Sequence, residues 1–173
     1  MSYGLLVEQY LLGPEILRRS ISGMSDDHLN ASPIPFKWST REVVHHLVDT
    51  DLVYTDHMKH VIAEEEPTLL GIDDKLYASR LAYDKRNVEE EIGLIMAMRR
   101  HVGRILRAID ADDFERKGIH SVEGPLTLAD LLQRAAVHIP HHAQYIEETR
   151  KALHIGERAV ALPSRKCRSY ETV

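Results

Sequence analysis

His138 and His142 stand four residues apart in His138-Ile139-Pro140-His141-His142. In a helix that spacing stacks two side chains on one face with Cβ atoms about 5–6 Å apart, close enough for two imidazoles to share one divalent ion. His141 is one turn from His138 as well. The inward stripe decides between them: from Leu128 through Leu131 and Ala135, steps of three or four residues lead to His138, His142 and Tyr145, and leave His141 off the face. A third donor is available far upstream, where His45 and His46 are adjacent. His46 lies one turn from both Val43 and Asp49, beside an apolar stripe, and His45 diverges from it by about 100°. Burying three imidazoles without partners is costly, whereas one cation satisfies all three. Three neutral nitrogen ligands also leave the ion its charge and open coordination positions, the arrangement of a catalytic site. Such an ion lowers the pKa of a bound water to about 7, or activates a thiol. The candidate ligands are therefore His46, His138 and His142. For a hydrolase Asp49 is the candidate general base, with an orienting partner of His46 or a solvated helix residue as the alternatives.

These residues need helices to hold them, and the chain supplies four amphipathic ones. A first runs from about Tyr3 to Ser22 with Leu5, Leu6, Leu12, Ile16, Leu17 and Ile21 as its apolar face, and Gly13-Pro14 is expected to bend or restart it. The segment DDHLNASPIPFKW, with two prolines and polar turn formers, reads as a loop. The second helix opens on a capping box, Ser39-Thr40-Arg41-Glu42, and carries Val43, Leu47, Tyr54, Met58 and Val61. Between Pro67 and Asp84 the pattern weakens to a loop with a short helical turn. The third helix begins near Asn87 and buries Ile92, Ile95, Met98, Val102, Ile105 and Ile109; its Arg99-Arg100 pair reads as a solvated face. The fourth begins at Thr127-Leu128-Ala129-Asp130 and continues past Ala152, with Pro140 expected to kink it or release a carbonyl. No apolar/polar alternation is long enough for a strand. The expected fold is all-α: a four-helix bundle over residues 1–155 and a C-terminal tail over 156–173. Of the other histidines, His57 and His60 fall along the face of His46, and His28, His101, His120 and His154 read as surface residues.

Composition narrows the function. The net charge of −5 and pI near 6.1 argue against a nucleic-acid binder, which needs a basic face. No window reaches the roughly 18 apolar residues of a membrane span. With no secretory leader pattern at the N-terminus, a cytoplasmic protein is expected. The lone Cys167 sits in the tail, whose Arg165-Lys166-Cys167-Arg168 run reads as a solvated end, so a thiol nucleophile would have to come from outside.

Trp38 through Asp49, the Gly124-Pro125-Leu126-Thr127-Leu128 segment and the His138–His142 run together resemble the DinB/YfiT-like superfamily, over most of the chain from Gly13 to Leu153. In that family the first ligand falls eight residues after a tryptophan, which here is His46, and the other two come as H-x-x-x-H in the last bundle helix, here His138 and His142. The resemblance implies an up-down-down-up bundle, a divalent metal on three histidines and frequent homodimerisation. It also implies small-molecule chemistry: members include thiol-dependent S-transferases, in which the metal activates a low-molecular-weight thiol. The expected function is accordingly an S-transferase acting on electrophilic small molecules. The alternatives are a metal-dependent hydrolase using water and a non-catalytic, stress-related metal- or ligand-binding bundle. Zinc is the first expectation for the metal and nickel the second.

Overall fold

The computed structural model describes residues 3–156; Cys167 and the basic run around it lie outside the described residues. Six helices and three short strands follow in the order α1 (Tyr3–Ile21), α2 (Asp26–Asn30), α3 (Thr40–Ala63), β1 (Thr68–Leu69), α4 (Asp74–Arg80), α5 (Val88–Leu106), β2 (Lys117–His120), β3 (Gly124–Thr127) and α6 (Leu128–Ala152). A single 3-10 turn, Ala111–Glu115, precedes β2.

The long helices start where side chains can satisfy their first amides. Ser39 accepts from Glu42 N while the Glu42 carboxylate receives the Ser39 amide, and Thr127 and Asp130 repeat the arrangement at α6. Asn87 caps α5 through Glu89 N and Glu90 N.

Contacts between the helices fix their directions. Arg150 near the end of α6 donates to the carbonyls of Ser20 and Ser22 at the end of α1, so α1 and α6 run parallel. Arg41 at the start of α3 reaches the carbonyl of Arg86 just before α5, and Asp51 meets Arg99 farther along, so α3 and α5 run parallel too. Lys37 before α3 pairs with Glu148 late in α6, which sets those two antiparallel. Glu8 early in α1 pairs with Arg107 just past α5, with the same consequence. The bundle is up-down-down-up. Parallel neighbours need a long crossover between α3 and α5, and residues 64–87, which carry β1 and α4, supply it.

Two apolar clusters fill the interior. One joins Leu6, Val7, Tyr10, Met58, Val61, Val102, Leu106, Leu128 and Leu131; the other joins Leu17, Val43, Val44, Leu47, Val48, Ile92, Ile95, Ile139 and Ile146.

Several expectations change. Leu5 and Leu12 are exposed, because α1 turns Leu6, Val7, Tyr10 and Leu17 inward instead. The segment expected to be a loop contains α2, capped by Ser25, whose hydroxyl accepts from His28 N. Three strands do form: β1 pairs parallel with β2, and β2 pairs antiparallel with β3. With two to four residues each they are too short to show a period of two. A side chain at Gly118 would put its Cβ 2.7 Å from Leu69 Cδ1, so the close approach of β2 to β1 depends on glycine there. Neither Pro14 nor Pro140 interrupts its helix.

Arg99 is the largest departure. It is buried at 1% exposure rather than solvated. Its Nε and Nη2 donate to the Asp51 carboxylate, Nη2 also to the carbonyl of Ala135, and Nη1 to the carbonyl of Tyr10 at 2.7 Å. Pro14 has no amide proton to give that last carbonyl, so the guanidinium supplies the missing donor. Gly13 makes the approach possible: a Cβ there would lie 2.2 Å from Arg99 Nη1.

Candidate metal centre

The regular helix of α3 carries His46 on the side facing α6, and the regular helix of α6 carries His138 and His142 on the side facing α3. One ring nitrogen from each lies within 4.8 Å of the other two. His46 Nε2 faces His138 Nε2 at 3.3 Å. Two nitrogens each bound at about 2.0–2.1 Å to a tetrahedral ion stand about 3.3–3.4 Å apart, so this pair already has the spacing of shared ligation. The rings pack edge to face, with centroids 5.1 Å apart for His46–His138, 4.9 Å for His46–His142 and 4.7 Å for His138–His142.

The surroundings keep these rings neutral. Burial, reinforced by the charges that His142 and His46 would carry, lowers the His138 pKa to about 3. His142 falls to about 4, again mainly through burial. His46 is lowered as well, with Asp74 and Asp49 pulling the other way. A neutral imidazole offers a lone pair to a metal, and a protonated one cannot. Around His46 Nδ1 stand two acceptors, Thr50 Oγ1 at 3.4 Å and Asp74 Oδ1 at 3.6 Å. They favour the tautomer that carries its proton on Nδ1 and leaves the Nε2 lone pair toward His138. His142 Nδ1 is buried with no hydrogen-bond partner among the described residues. The nitrogen spacing, the neutral rings and this orphaned atom all suit a divalent cation.

His45 turns away from the cluster as the helical period requires. Its Nδ1 lies 2.6 Å from the carbonyl of Arg41, and its ring lies against Tyr83. His141 is exposed and packs edge-on against His142 and Tyr145.

Asp49 is buried, and both of its oxygens are held by Arg86, at 2.9 and 3.0 Å. Arg86 in turn binds Glu91, so Asp49 belongs to an ion-pair network between α3 and the start of α5. The half-exposed carboxylate beside the cluster is Asp74, at the first position of α4. Nothing in the sequence pattern places it there. His57 contacts the carbonyl of Leu70 through Nε2 at 3.2 Å and lies against His120, which is therefore less exposed than its polar context suggested. Among the described residues neither belongs to a metal-binding group of three. Trp38 packs edge-on against His46 at 5.1 Å and closes one side of the centre.

Comparison with known proteins agrees with this architecture. The chain is 27% identical over 133 residues to a protein of Oceanobacillus iheyensis provisionally named a metal-dependent hydrolase, covering 77% of each chain. It is 25% identical over 140 residues to a protein of Bacillus cereus with the same provisional name, covering 81% of this chain and 80% of the other. The fold matches that of YfiT from Bacillus subtilis, described as a probable metal-dependent hydrolase with an unusual four-helix bundle topology. The TM-score is 0.83, with 22% identity over 89% of this chain and 90% of that one. Among the described residues no helix is long and apolar enough to cross a membrane. The sequence model of the DinB superfamily matches residues 9–146, and the chain belongs to that superfamily.

Proposed function

We propose that this protein is a divalent-metal-dependent hydrolase of small molecules, with His46, His138 and His142 as the metal ligands. The observation that carries the reading is the 3.3 Å approach of His46 Nε2 and His138 Nε2 within a cluster of three desolvated, neutral imidazoles. A divalent ion held there would supply Lewis acidity and bring the pKa of a water to about 7. The chain's own residues do the positioning. Thr50 and Asp74 flank His46 Nδ1 and favour the tautomer that leaves its Nε2 lone pair toward the other two histidines, and Trp38 packs against the His46 ring and covers one flank. Asp49 has both oxygens held by Arg86, in an ion-pair network that also includes Glu91. Zinc is the first choice of metal and nickel the second. The names of the relatives also support hydrolysis, and this is why it stands ahead of thiol transfer.

The test begins with elemental analysis of tag-free protein after reloading. One ion per chain is expected, and a content well below one would end the reading. The loaded protein is then offered ester, amide and lactone panels without thiol, and a generic electrophile with a panel of low-molecular-weight thiols. Turnover only in the thiol arm would reassign the protein to S-transfer.

A further inference from the structure

Beside the metal centre lies a cavity of about 400 Å³, a size that takes a small molecule. His142 forms part of its wall, together with Phe36, Trp38, Tyr145, Lys37 and Lys75. Three aromatic side chains thus converge on a space that touches a metal-ligand candidate. Phe36 is fully exposed and holds a φ of 64°, a left-handed conformation that a bulky side chain rarely adopts. Strain and ring exposure are both unfavourable, and both are offset where the ring covers an apolar ligand.

The charges lining the cavity narrow the ligand further. Lys37 is engaged on two sides: its Nζ pairs with Glu148 at 2.7 Å and sits 4.6 Å from the centre of the Tyr145 ring. Lys75, next to Asp74 at the start of α4, meets no carboxylate at ion-pair distance among the described residues. Apart from the charge that an ion on the three histidines would bring, the lining carries one ammonium without a carboxylate partner among the described residues, a seat for a single carboxylate away from the metal position.

We propose that this cavity is the substrate pocket of the metal centre and takes a small molecule with an aromatic body and a single carboxylate. The body lies against Trp38 and Tyr145, the carboxylate meets Lys75, and the reacting group points past His142 toward the three histidines. The proposal rests on the metal-dependent reading given above.

Trp38 is the chain's single tryptophan, so its fluorescence reports occupancy directly, without any assay of turnover. The full-length protein, loaded with zinc and its zinc content measured, is titrated with 4-phenylbutanoate, 4-phenylbutanol, 4-phenylbutylamine and 4-phenylbutyl phosphate. The carboxylate should saturate the signal and bind more tightly than the alcohol and the amine by about fivefold or more, the upper range of an exposed ion pair. Lys75→Gln should remove that preference and leave the zinc content unchanged, while Phe36→Ala should weaken the carboxylate and the alcohol alike. Equal binding of the amine, or a preference that survives Lys75→Gln, overturns the proposal. Tighter binding of the phosphate ester overturns the choice of a monoanion. Failure of the underlying reading is separately visible, as a zinc content below one per chain whatever the carboxylate does.

Discussion

At the scale of single residues, the two histidine doublets separate ligand from bystander. His46→Ala, His138→Ala and His142→Ala should each abolish stoichiometric zinc binding in isothermal titration. His141→Ala should keep both zinc and stability. His45→Ala should keep zinc but lower the melting temperature, because its ring is fully buried against Tyr83 and bonded to Arg41. Loss of zinc in His45→Ala alone would mean that α3 is rotated relative to the structure. A second test follows from the lowered pKa values. Three ordinary imidazoles, each about ten to one protonated at pH 5.5, would weaken zinc binding about a thousandfold relative to neutral pH. With His138 near 3 and His142 near 4, the proton is a poor competitor at pH 5.5. Weakening of less than about a hundredfold is expected there, with the steep loss at still lower pH. That shifts the acid limit well below the ordinary histidine value of 6.5. A thousandfold loss by pH 5.5 would show that the site is hydrated rather than desolvated. The three histidines were legible in the sequence because each sits on a strong helical period, where spacing translates directly into a shared face. Asp74 was not, because it is brought to His46 by a crossover that has no period of its own.

At the scale of elements, one buried arginine ties all four long helices together. Arg99 on α5 binds Asp51 on α3 and the carbonyls of Tyr10 on α1 and Ala135 on α6. Sequence reasoning put Arg99 on the solvated side because charged residues are seldom fully buried, and the exceptions are those with partners. Its partners are 48, 89 and 36 positions away in the chain, beyond the reach of any local pattern. The same blindness hid the role of Gly13-Pro14. Read locally the pair breaks a helix; in the fold it leaves room for the guanidinium and frees the carbonyl that the guanidinium binds. Arg99→Ala should cost about 3–5 kcal/mol, since it leaves the Asp51 charge buried without its partner. Gly13→Ala should be strongly destabilising through the clash with Nη1. The sharper test is a double-mutant cycle in urea. Pro14→Ala restores an amide for the Tyr10 carbonyl, so Arg99→Ala should be milder in that background by about 1–2 kcal/mol, the cost of one unsatisfied buried acceptor. Strict additivity would mean that the Tyr10 carbonyl has another donor.

At the scale of the whole molecule, the two apolar clusters are divided by a polar layer. On every long helix the break falls at the same level: between Tyr10 and Leu17 on α1, Val48 and Met58 on α3, Ile95 and Val102 on α5, and Ala136 and Ile139 on α6. Asp51 and Arg99 occupy the break on α3 and α5, while His46 and His138 lie beside it between α3 and α6. The bundle thus gives up apolar packing at its waist to hold an ion pair and three neutral imidazoles, and the histidines make the metal-free fold sensitive to acid. A histidine whose pKa is lowered by folding binds its proton more readily in the unfolded chain. Stability then rises with pH between the folded value and about 6.5, and is lost as pH falls through that window. For His138 and His142 the window runs from about 3 or 4 up to about 6.5. Two such protons correspond to a slope approaching about 2.7 kcal/mol per pH unit as a ceiling. Metal-free protein should accordingly lose melting temperature steeply between pH 6.5 and 5, with His138 and His142 each taking up about one proton on unfolding and the buried His45, His46 and His57 adding to that uptake. Zinc at a thousand times its dissociation constant should add about 4 kcal/mol at neutral pH, because it binds only the folded chain. The variant His138→Gln/His142→Gln separates this cause from general acid denaturation: it removes the two most strongly shifted imidazoles and leaves only His46 to titrate beside the waist, so the steep segment should become shallower while the rest of the curve keeps its shape. If the double variant melts with an unchanged pH slope, the acid sensitivity arises elsewhere in the fold, and the three imidazoles are not the strained feature of the metal-free state.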